Sequence, residues 1–263
     1  MTGKAAWIAS VKRFLRRRGI LLDRYTCGTS ADLRLVRMLR TNGIDLVLDV
    51  GANEGGYAIT LREAGYGSRI LSFEPLSTAH AKLVAAAARD ESWIVAPRIA
   101  LGDHDGQVTI NVAGNSVSSS ILPMTARHKA AAPESAYVGS EVIEVQRLDG
   151  MRHPFLEDAK TPFLKVDTQG YENQVLAGAS TLLPRLRGVQ LELSLHQLYG
   201  GQKLWREMIA TLEGSGFELW ALVPGFFDQR SGRMLQCDAI FFRPGEAAPS
   251  PNGQASAVLP LGS

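Results

Sequence analysis

The feature that most constrains the fold is a regular alternation of strand and helix signals that begins at residue 46. Short apolar runs typical of buried strands are separated by segments whose apolar residues recur at helical spacing. Five of these runs predict parallel strands, at 46–50, 70–74, 94–96, 163–167 and 189–195. Strands that alternate with helices form a sheet with helices on both faces. We therefore predict an α/β fold with a doubly wound, mostly parallel sheet.

Two further pairs of runs predict antiparallel strands. Residues 217–223 and 237–242, with a Pro-Gly turn signal between them, predict an antiparallel pair at the C-terminal end of the sheet. Residues 107–112 and 142–147 alternate apolar with polar, which is typical of half-exposed or antiparallel strands. Between these two runs, residues 113–140 contain a Ser-rich stretch that predicts a long active-site loop.

Length and composition exclude several classes of protein. The chain has 263 residues, 45% of them hydrophobic and 21% charged, which excludes wholesale disorder, collagen and coiled coil. The sequence has no run of about 18 apolar residues, the length that crosses a bilayer. Two cysteines, Cys27 and Cys237, exclude a disulfide scaffold and a CxxC metal site. We expect a protein of a reducing compartment, the cytoplasm.

Charge is unevenly distributed and suggests the domain organisation. Residues 1–40 contain ten Lys or Arg and two acids, a net charge of +8, so the total of +2 leaves −6 for the remainder. We predict a basic helical extension over residues 1–40 and a main domain over 41–243. Residues 244–263 contain four Pro, three Gly and one charged residue, a composition that predicts a disordered tail.

Within the extension, residues 5–22 predict a short amphipathic helix with apolar and basic faces. One interpretation is a helix that packs on the main domain and keeps its basic side in water. Another is peripheral contact with an anionic membrane surface, where each basic residue contributes on the order of 1 kcal/mol. Nucleic acid is a weaker interpretation, because the basic run has no interleaved aromatics and no RNA or DNA motif. We expect no nucleic-acid partner.

The carboxyl ends of the strands are where a doubly wound sheet binds its ligand. The first strand continues into Asp49-Val50-Gly51-Ala52-Asn53-Glu54-Gly55-Gly56, in which glycines let the backbone approach a ligand closely. The turn contains neither GxGxxG nor the Gly-Lys-Ser/Thr of a P-loop. It therefore suits a ligand with an amino-acid end and no pyrophosphate, and the alternative is a plain strand-to-helix turn.

Glu74 ends the second predicted strand, 25 residues after Asp49. A carboxylate at this position can accept hydrogen bonds from both ribose hydroxyls of a nucleoside. Alternatively, it is an acid favoured by the macrodipole at a helix N-terminus. The glycine-rich turn and the acid at this separation together indicate a nucleoside ligand.

Four blocks of the sequence, in this order and spacing, resemble the FkbM family of S-adenosylmethionine-dependent methyltransferases. They are LVLDVGANEGGYA, the Ser-Phe-Glu-Pro around Glu74, FLKVDTQGYENQVLAGA and VQLELSLHQLYGGQ, and the resemblance covers about residues 44–243. It implies a class I, Rossmann-like methyltransferase sheet, S-adenosylmethionine as cofactor, and methyl transfer to a hydroxyl oxygen. Typical acceptors of the family are sugars or polyketide-like natural products. The main domain, 41–243, is then the methyltransferase domain.

The resemblance also implies which residues hold the cofactor. In this chain they are Asp49, Gly51, Asn53, Glu54, Gly55 and Glu74. A family pattern of Ala-Leu-Gly-Asp after the third strand is matched by residues 100–103. This match implies that Asp103 lies near the adenine.

Methyl transfer to a hydroxyl calls for a general base, because a hydroxyl is a poor nucleophile until its proton leaves. The candidates are Asp167, Glu192 and His196, at the carboxyl ends of adjacent predicted strands. The alternatives are two buried structural acids and a structural histidine. Asp167 and Glu192 are also candidate ligands for Mg²⁺, a hard cation that prefers oxygen. Lys165 shares a strand face with Asp167, as an ion-pair partner or a substrate contact.

We therefore expect a cytoplasmic O-methyltransferase that acts on a hydroxyl of a glycosyl, glycolipid or polyketide-like acceptor. The basic N-terminus would suit an acceptor presented at the inner membrane surface. An N- or carboxyl-methyltransferase on the same scaffold is the enzymatic alternative. The alternative from another class is a nucleoside-binding regulatory module without catalysis, against which the set Asp167, Glu192 and His196 argues. A dehydrogenase is disfavoured because the turn lacks GxGxxG.

Overall fold

The computed structural model describes residues 3–245, which form an α/β fold. The helices are α1 (Gly3–Arg16), α2 (Ala31–Thr41), α3 (Gly56–Glu63), α4 (Ser77–Ala87), α5 (Ala126–Ala131), α6 (Pro154–Glu157), α7 (Glu172–Ala177) and α8 (Trp205–Gly214). The strands are β1 (Leu46–Val50), β2 (Arg69–Phe73), β3 (Trp93–Val95), β4 (Ala100–Leu101), β5 (Gly106–Ala113), β6 (Tyr137–Gln146), β7 (Pro162–Val166), β8 (Gly188–Ser194), β9 (Glu218–Pro224), β10 (Phe227–Asp228), β11 (Arg233–Met234) and β12 (Gln236–Phe242). The predicted disordered tail, 244–263, lies outside the described residues from residue 246 onward.

Seven strands form the main sheet, in the order β3-β2-β1-β7-β8-β12-β9. The first five run parallel to their neighbours. β12 pairs antiparallel with both β8 and β9. This arrangement confirms the predicted mostly parallel sheet with an antiparallel C-terminal pair. Chain order reverses between β1 and β7, and such a reversal opens a crevice at the carboxyl ends of the two strands.

Helices cover both faces of the main sheet, because strand side chains alternate between the faces. In β1, Leu46, Leu48 and Val50 belong to one apolar core, which includes residues of α7 and α8. Val47 belongs to the other core, which includes residues of α2, α3 and α4. All five residues of β1 are buried, as expected of a parallel strand covered on both sides. The sheet is therefore doubly wound, as predicted.

Helix α2 packs on this sheet. Ser30 caps its N-terminus by accepting a backbone hydrogen bond from Leu33 at 3.2 Å. Leu35 and Leu39 are buried in one of the two cores. The predicted domain boundary after residue 40 therefore falls inside α2, which is part of the main domain. The N-terminal extension ends before α2 begins.

Helix α1 ends at Arg16, whereas the sequence predicted a helix that continues to residue 22. The backbone amides of Gly19 and Ile20 donate hydrogen bonds to the carbonyl oxygens of Arg16 and Leu15, respectively. Gly19 has a φ of +76°, a left-handed conformation typical of helix C-termini. Val11 and Leu15 of α1 are half-buried, but none of residues 7–26 is fully buried, and Trp7 and Phe14 are largely exposed. Among the described helices, none is long and apolar enough to cross a membrane.

A smaller sheet, in the order β4-β6-β5, accompanies the main one. β5 and β6 pair antiparallel and correspond to the predicted strands 107–112 and 142–147. Ile110, Ile143 and Val145 pack against Leu76 and Ala79, at the start of α4. The small sheet therefore lies next to the carboxyl end of β2, where Glu74 is found.

Candidate active site

The turn after β1 comes very close to the end of β7. Gly51 has a φ of +75°, and a Cβ at this position would lie 1.8 Å from the backbone oxygen of Asp167. Glycine is therefore required, since a side chain would collide with backbone atoms. Asn53, two residues later, has a left-handed φ of 48°, a conformation that asparagine tolerates better than most residues.

The carboxylate of Glu74 is held by backbone amides after β2. Oε2 accepts a hydrogen bond from the Asn53 amide at 2.8 Å, and Oε1 accepts one from the Leu76 amide at 2.9 Å. Burial raises the pKa of Glu74 to about 7, although the two amide donors act in the opposite direction. Each carboxylate oxygen can accept a second hydrogen bond, so the group is still able to receive two hydroxyls of a ligand.

A cavity, which we call the first cavity, opens at the crevice between β1 and β7. The predicted cofactor residues Gly51, Asn53 and Glu74 line it, and so does Asp167. Much of the remaining wall is apolar or aromatic and includes Leu76, Ile99, Ala100, Leu101, Ile110, Ile121 and Tyr171.

Two predicted cofactor residues of the β1 turn do not line the first cavity. The Glu54 side chain is exposed and forms an ion pair with Lys82 of α4 at 2.6 Å, so it points away from the crevice. Gly55 has a φ of +93°, and a Cβ there would lie 2.8 Å from the Trp93 ring. Gly55 therefore allows close packing within the fold and does not border the cavity.

Asp103 is also outside the first cavity. Its carboxylate is about half exposed, and its Oδ1 lies 2.7 Å from Nδ1 of the neighbouring His104. Ala100 and Leu101, from the same four-residue pattern, do line the cavity. The apolar residues of this four-residue pattern therefore line the cavity, whereas Asp103 faces solvent.

Asp49 and Lys165 form a buried ion pair next to the turn. They are register partners in β1 and β7, and Nζ of Lys165 lies 3.1 Å from Oδ1 of Asp49. The same Nζ donates a hydrogen bond to the backbone oxygen of Gly51 at 3.1 Å. Burial alone would lower the pKa of Lys165, but the carboxylates of Asp49 and Asp167 outweigh it and raise that pKa. Asp49 thus holds Lys165 and the turn in place and does not line the cavity.

The loop after β7 is shaped by the buried carboxylate of Glu172. Its Oε1 accepts backbone hydrogen bonds from Thr168 and Gly170, each at 3.0 Å. Inside this loop, Gln169 and Gly170 have left-handed φ values of 54° and 99°. Burial raises the pKa of Glu172 to about 7. The loop fixes the direction in which Asp167 and Gln169 project.

Asp167 and Glu192 are joined through the side-chain amide of Gln169. Its Nε2 donates to Oδ1 of Asp167 at 2.8 Å and to Oε2 of Glu192 at 2.9 Å. The Tyr199 hydroxyl donates to Oε1 of Gln169 at 2.8 Å, which orients the amide with its N–H groups toward the carboxylates. Gln236 donates a further hydrogen bond to Glu192 at 2.6 Å.

The electrostatics of this cluster favour proton acceptance. Burial raises the pKa of Glu192 well above its usual value, and the charges of Asp167, Glu172 and Asp238 add to the effect. Asp238, the register partner of Glu192 on β12, has a pKa raised to about 6 by burial and by the charge of Asp167. Burial and neighbouring negative charge therefore favour the protonated form of Glu192 and Asp238 more than in an exposed carboxylate.

A second cavity adjoins the cluster. Glu192, Gln236 and His128 line it. Asp167 and Gln169 line both the first and the second cavity. The Asp167 side chain, which is 35% exposed, therefore lies at the junction of the two cavities.

His196 lines neither of these cavities. Its pKa is lowered by partial burial and by the positive charges of Arg233 and Arg127. The chain turns after the end of β8 at Ser194, and this turn carries the imidazole toward the two arginines. The structure thus brings two of the three predicted catalytic residues together and leaves His196 apart.

The predicted Mg²⁺ site does not fit the arrangement of its two ligands. The Gln169 amide spans Asp167 and Glu192, and it presents hydrogen-bond donors where a cation requires lone pairs. Within residues 3–245, no group of three or more His, Cys, Asp or Glu side chains is placed to hold a metal. The expectation that Asp167 and Glu192 bind Mg²⁺ is therefore not supported.

Sequence reasoning missed three polar residues of the junction: Gln169, Tyr199 and Gln236. A signal existed for Gln169, which follows Asp167 by two residues at a strand end. The sequence carried no signal for Tyr199, because its hydroxyl bonds to Gln169, which is 30 residues away in the chain. The Ser-rich loop does reach the first cavity, through Ser116 and Ser119.

Comparison with known proteins identifies the family. The family described as Methyltransferase FkbM domain matches residues 49–219 of the chain. Among curated proteins, none is significantly similar in sequence.

Three solved structures that align with this chain are described next. Magnesium protoporphyrin IX methyltransferase (ChlM) from Synechocystis PCC 6803, with bound SAM, is 13% identical over 81% of this chain and 78% of that chain, with a TM-score of 0.44. The methyltransferase domain of bacterial CtHen1-C is 11% identical over 84% of this chain and 100% of that chain, with a TM-score of 0.43. TehB from Haemophilus influenzae is 9% identical over 83% of this chain and 64% of that chain, with a TM-score of 0.46. We draw no functional argument from likenesses this distant.

The family match covers most of the chain, from the end of β1 to β9, and includes the strand ends at which both cavities meet. The chain therefore belongs to the FkbM methyltransferase family and is an S-adenosylmethionine-dependent methyltransferase.

Proposed function

We propose that this methyltransferase transfers the methyl group to a hydroxyl oxygen of a glycosyl, glycolipid or polyketide-like acceptor. The observation that carries the proposal is the position of Asp167, whose carboxylate lines both cavities. A carboxylate between cofactor and acceptor supplies the base that a hydroxyl needs. A carboxylate acceptor is already ionised at neutral pH and would be repelled by the charge of Asp167.

The first cavity suits S-adenosylmethionine. In this proposal the carboxylate of Glu74 accepts the ribose hydroxyls, and the turn at Gly51 and Asn53 contacts the methionine end. Leu101 and Tyr171 offer an apolar and aromatic surface for the adenine. The cofactor supplies a methyl group on a positively charged sulfur, and the acceptor oxygen must be aligned with that carbon–sulfur bond.

The second cavity suits the acceptor. Asp167 would take the proton of the reacting hydroxyl, and its orientation is held by Gln169 and by Lys165, whose Nζ lies 3.8 Å from Oδ2. Glu192 and Gln236 offer an acceptor and a donor to neighbouring hydroxyls of a sugar or polyol. Several hydroxyls bound in this way would fix which one faces the methyl group.

The acceptor is identified by mass spectrometry of lipid and glycan extracts from a strain without the protein and from the same strain with it restored. We expect one species to be lighter by a methylene in the first extract. The methylated product should survive mild alkali, because an ether is stable there. Release of methanol would instead indicate a methyl ester and contradict the proposal. Calorimetric binding of S-adenosylmethionine without turnover on any extract would favour the non-catalytic alternative.

Removal of the Glu74 carboxylate should weaken cofactor binding. Glu74→Ala loses hydrogen bonds to a charged group, which costs roughly 1–3 kcal/mol of binding free energy, and calorimetric titration measures it. The matched control is Glu54→Ala, which removes an exposed carboxylate that forms an ion pair outside the first cavity. Equal affinities in Glu74→Ala and in the wild-type protein would contradict the ribose role.

Cofactor affinity should also depend on pH through Glu74. Its pKa is raised to about 7, so the group is protonated below that pH and one of its oxygens then accepts fewer hydrogen bonds. We expect the affinity to rise as the pH increases through about 7 and to level off above it. Glu74→Gln should lack this component. The comparison of the two titrations is needed because Glu172 ionises in the same range.

Chelation should leave the activity intact. Because the Gln169 amide bridges the two carboxylates proposed as metal ligands, we expect the same turnover before and after dialysis against EDTA. An activity that disappears on dialysis and returns with added Mg²⁺ would show that the reaction requires a metal despite the Gln169 bridge.

A further inference from the structure

The N-terminal segment, which we define as residues 7–25, exposes large apolar side chains that neither cavity uses. Trp7, Phe14, Leu21 and Tyr25 are 68%, 55%, 69% and 62% exposed. Burying such side chains would remove apolar surface from water, which lowers the free energy. Since no residue of the segment is buried, the described part of the chain does not provide this cover.

From Trp7 to Arg16, the apolar and basic residues of α1 occupy different faces of the helix. At about 100° per residue, the apolar side chains fall within an arc of about 120°. These residues are Trp7, Ile8, Val11, Phe14 and Leu15. Lys12, Arg13 and Arg16 fall outside that arc. After the helix, exposed Ile20, Leu21 and Leu22 extend the apolar surface.

The charge of the segment is strongly positive. It contains six Lys or Arg and a single acid, Asp23. Within the described residues, the ion pair formed by this segment is Lys12 with Asp23, at 2.8 Å. The guanidinium of Arg18 lies 4.6 Å from the centre of the Phe14 ring, which places a positive charge beside the apolar surface.

We propose that residues 7–25 dock the protein on an anionic lipid surface. Aromatic and leucine side chains would enter the boundary between headgroups and acyl chains, and the basic residues would contact lipid phosphates. A nucleic acid would satisfy the arginines but would leave the apolar face in water. An anionic lipid surface complements both the apolar and the basic side chains of the segment, and for this reason the structure favours it.

The test is sedimentation of the full-length protein with vesicles of phosphatidylglycerol mixed with phosphatidylcholine, and with vesicles of phosphatidylcholine alone. We expect binding to the anionic vesicles at low salt, weaker binding at high salt, and little binding to the neutral vesicles. Changing Arg16, Arg17 and Arg18 to Gln should weaken binding about 100-fold. Changing Trp7 and Phe14 to Ser should weaken it about tenfold or more.

Matched controls separate the segment from general effects of charge and hydrophobicity. Changing Arg89, Arg152 and Arg206 to Gln removes the same charge from three exposed positions elsewhere on the chain. Trp220→Ser removes a tryptophan that is 42% exposed on β9. We expect wild-type vesicle binding from both control proteins and unchanged affinity for S-adenosylmethionine from every variant.

Two outcomes would overturn the proposal. One is equal binding to anionic and neutral vesicles, or none to either. The other is a Trp7 and Phe14 double variant that binds anionic vesicles as tightly as the wild-type protein. If that double variant also keeps wild-type affinity for duplex DNA while the triple arginine variant loses it, the segment is a nucleic-acid contact.

Discussion

Asp167→Asn should lower the turnover of methyl transfer by about 10²–10⁴-fold, the contribution expected of a general base. The amide has the shape of the carboxylate but cannot accept the proton of the acceptor hydroxyl. Because the Asp49–Lys165 pair and the Glu74 contacts remain, the affinity for S-adenosylmethionine should change much less than turnover. Single-turnover kinetics and calorimetric titration measure the two quantities separately.

The matched control for this variant is Asp103→Asn. Asp103 is an exposed acid that the sequence placed near the adenine, and the structure places it outside the first cavity. We expect unchanged turnover and cofactor affinity. Glu192→Gln should cost less than Asp167→Asn, because Glu192 borders the second cavity alone. Full activity in both carboxylate variants would place the reacting hydroxyl elsewhere, under the Ser-rich loop at 116–120.

Gly51→Ala should destabilise the fold by about 2–5 kcal/mol, from a left-handed φ that disfavours a side chain and from overpacking against backbone. The new Cβ would lie 1.8 Å from the oxygen of Asp167, so the β1 turn and the loop after β7 would have to separate. Urea unfolding measures the stability loss. Separation of these two segments would also disrupt the first cavity, and we expect cofactor affinity to fall in any folded fraction.

Gly56→Ala is the matched control for this substitution. It lies five residues further along the same turn, where an added Cβ meets no atom within 4 Å. Because Gly56 is the first residue of α3, alanine there should be neutral or slightly stabilising. A Gly51→Ala protein that unfolds at the same urea concentration as the wild-type protein would contradict the steric argument. Failure of that variant to fold at all, with a folded Gly56→Ala protein, would support it.

The main sheet could be predicted from the sequence because its signals are local. Runs such as Leu46–Val50 are apolar throughout, and the segments between them have helical spacing, so each element is encoded by neighbouring residues. The strand order, and with it the crevice between β1 and β7, was seen only in the structure. Gly51 and Glu74 could be proposed from the sequence because Gly51 directly follows a predicted strand and Glu74 ends one.

The end of the N-terminal helix and the domain boundary were predicted less well. The apolar spacing continues past Arg16, but the chain turns at Gly19 and the helix stops. The change of charge near residue 40 does not mark a boundary, because α2 is basic on one side and apolar on the other. Composition averages over both sides of a helix and cannot show which one is packed.

The sequence by itself determined the strands, the glycine-rich turn after the first of them and the acids at strand ends, because these features depend on residues close together in the chain. Only the tertiary structure decided that Lys165 pairs with Asp49, that Gln169 bridges Asp167 to Glu192, and that Glu54 and Asp103 point to solvent. Each of these outcomes depends on which side chain meets which across a sheet or a loop. Local spacing places a residue at a strand end, but burial and long-range hydrogen bonds determine what it faces.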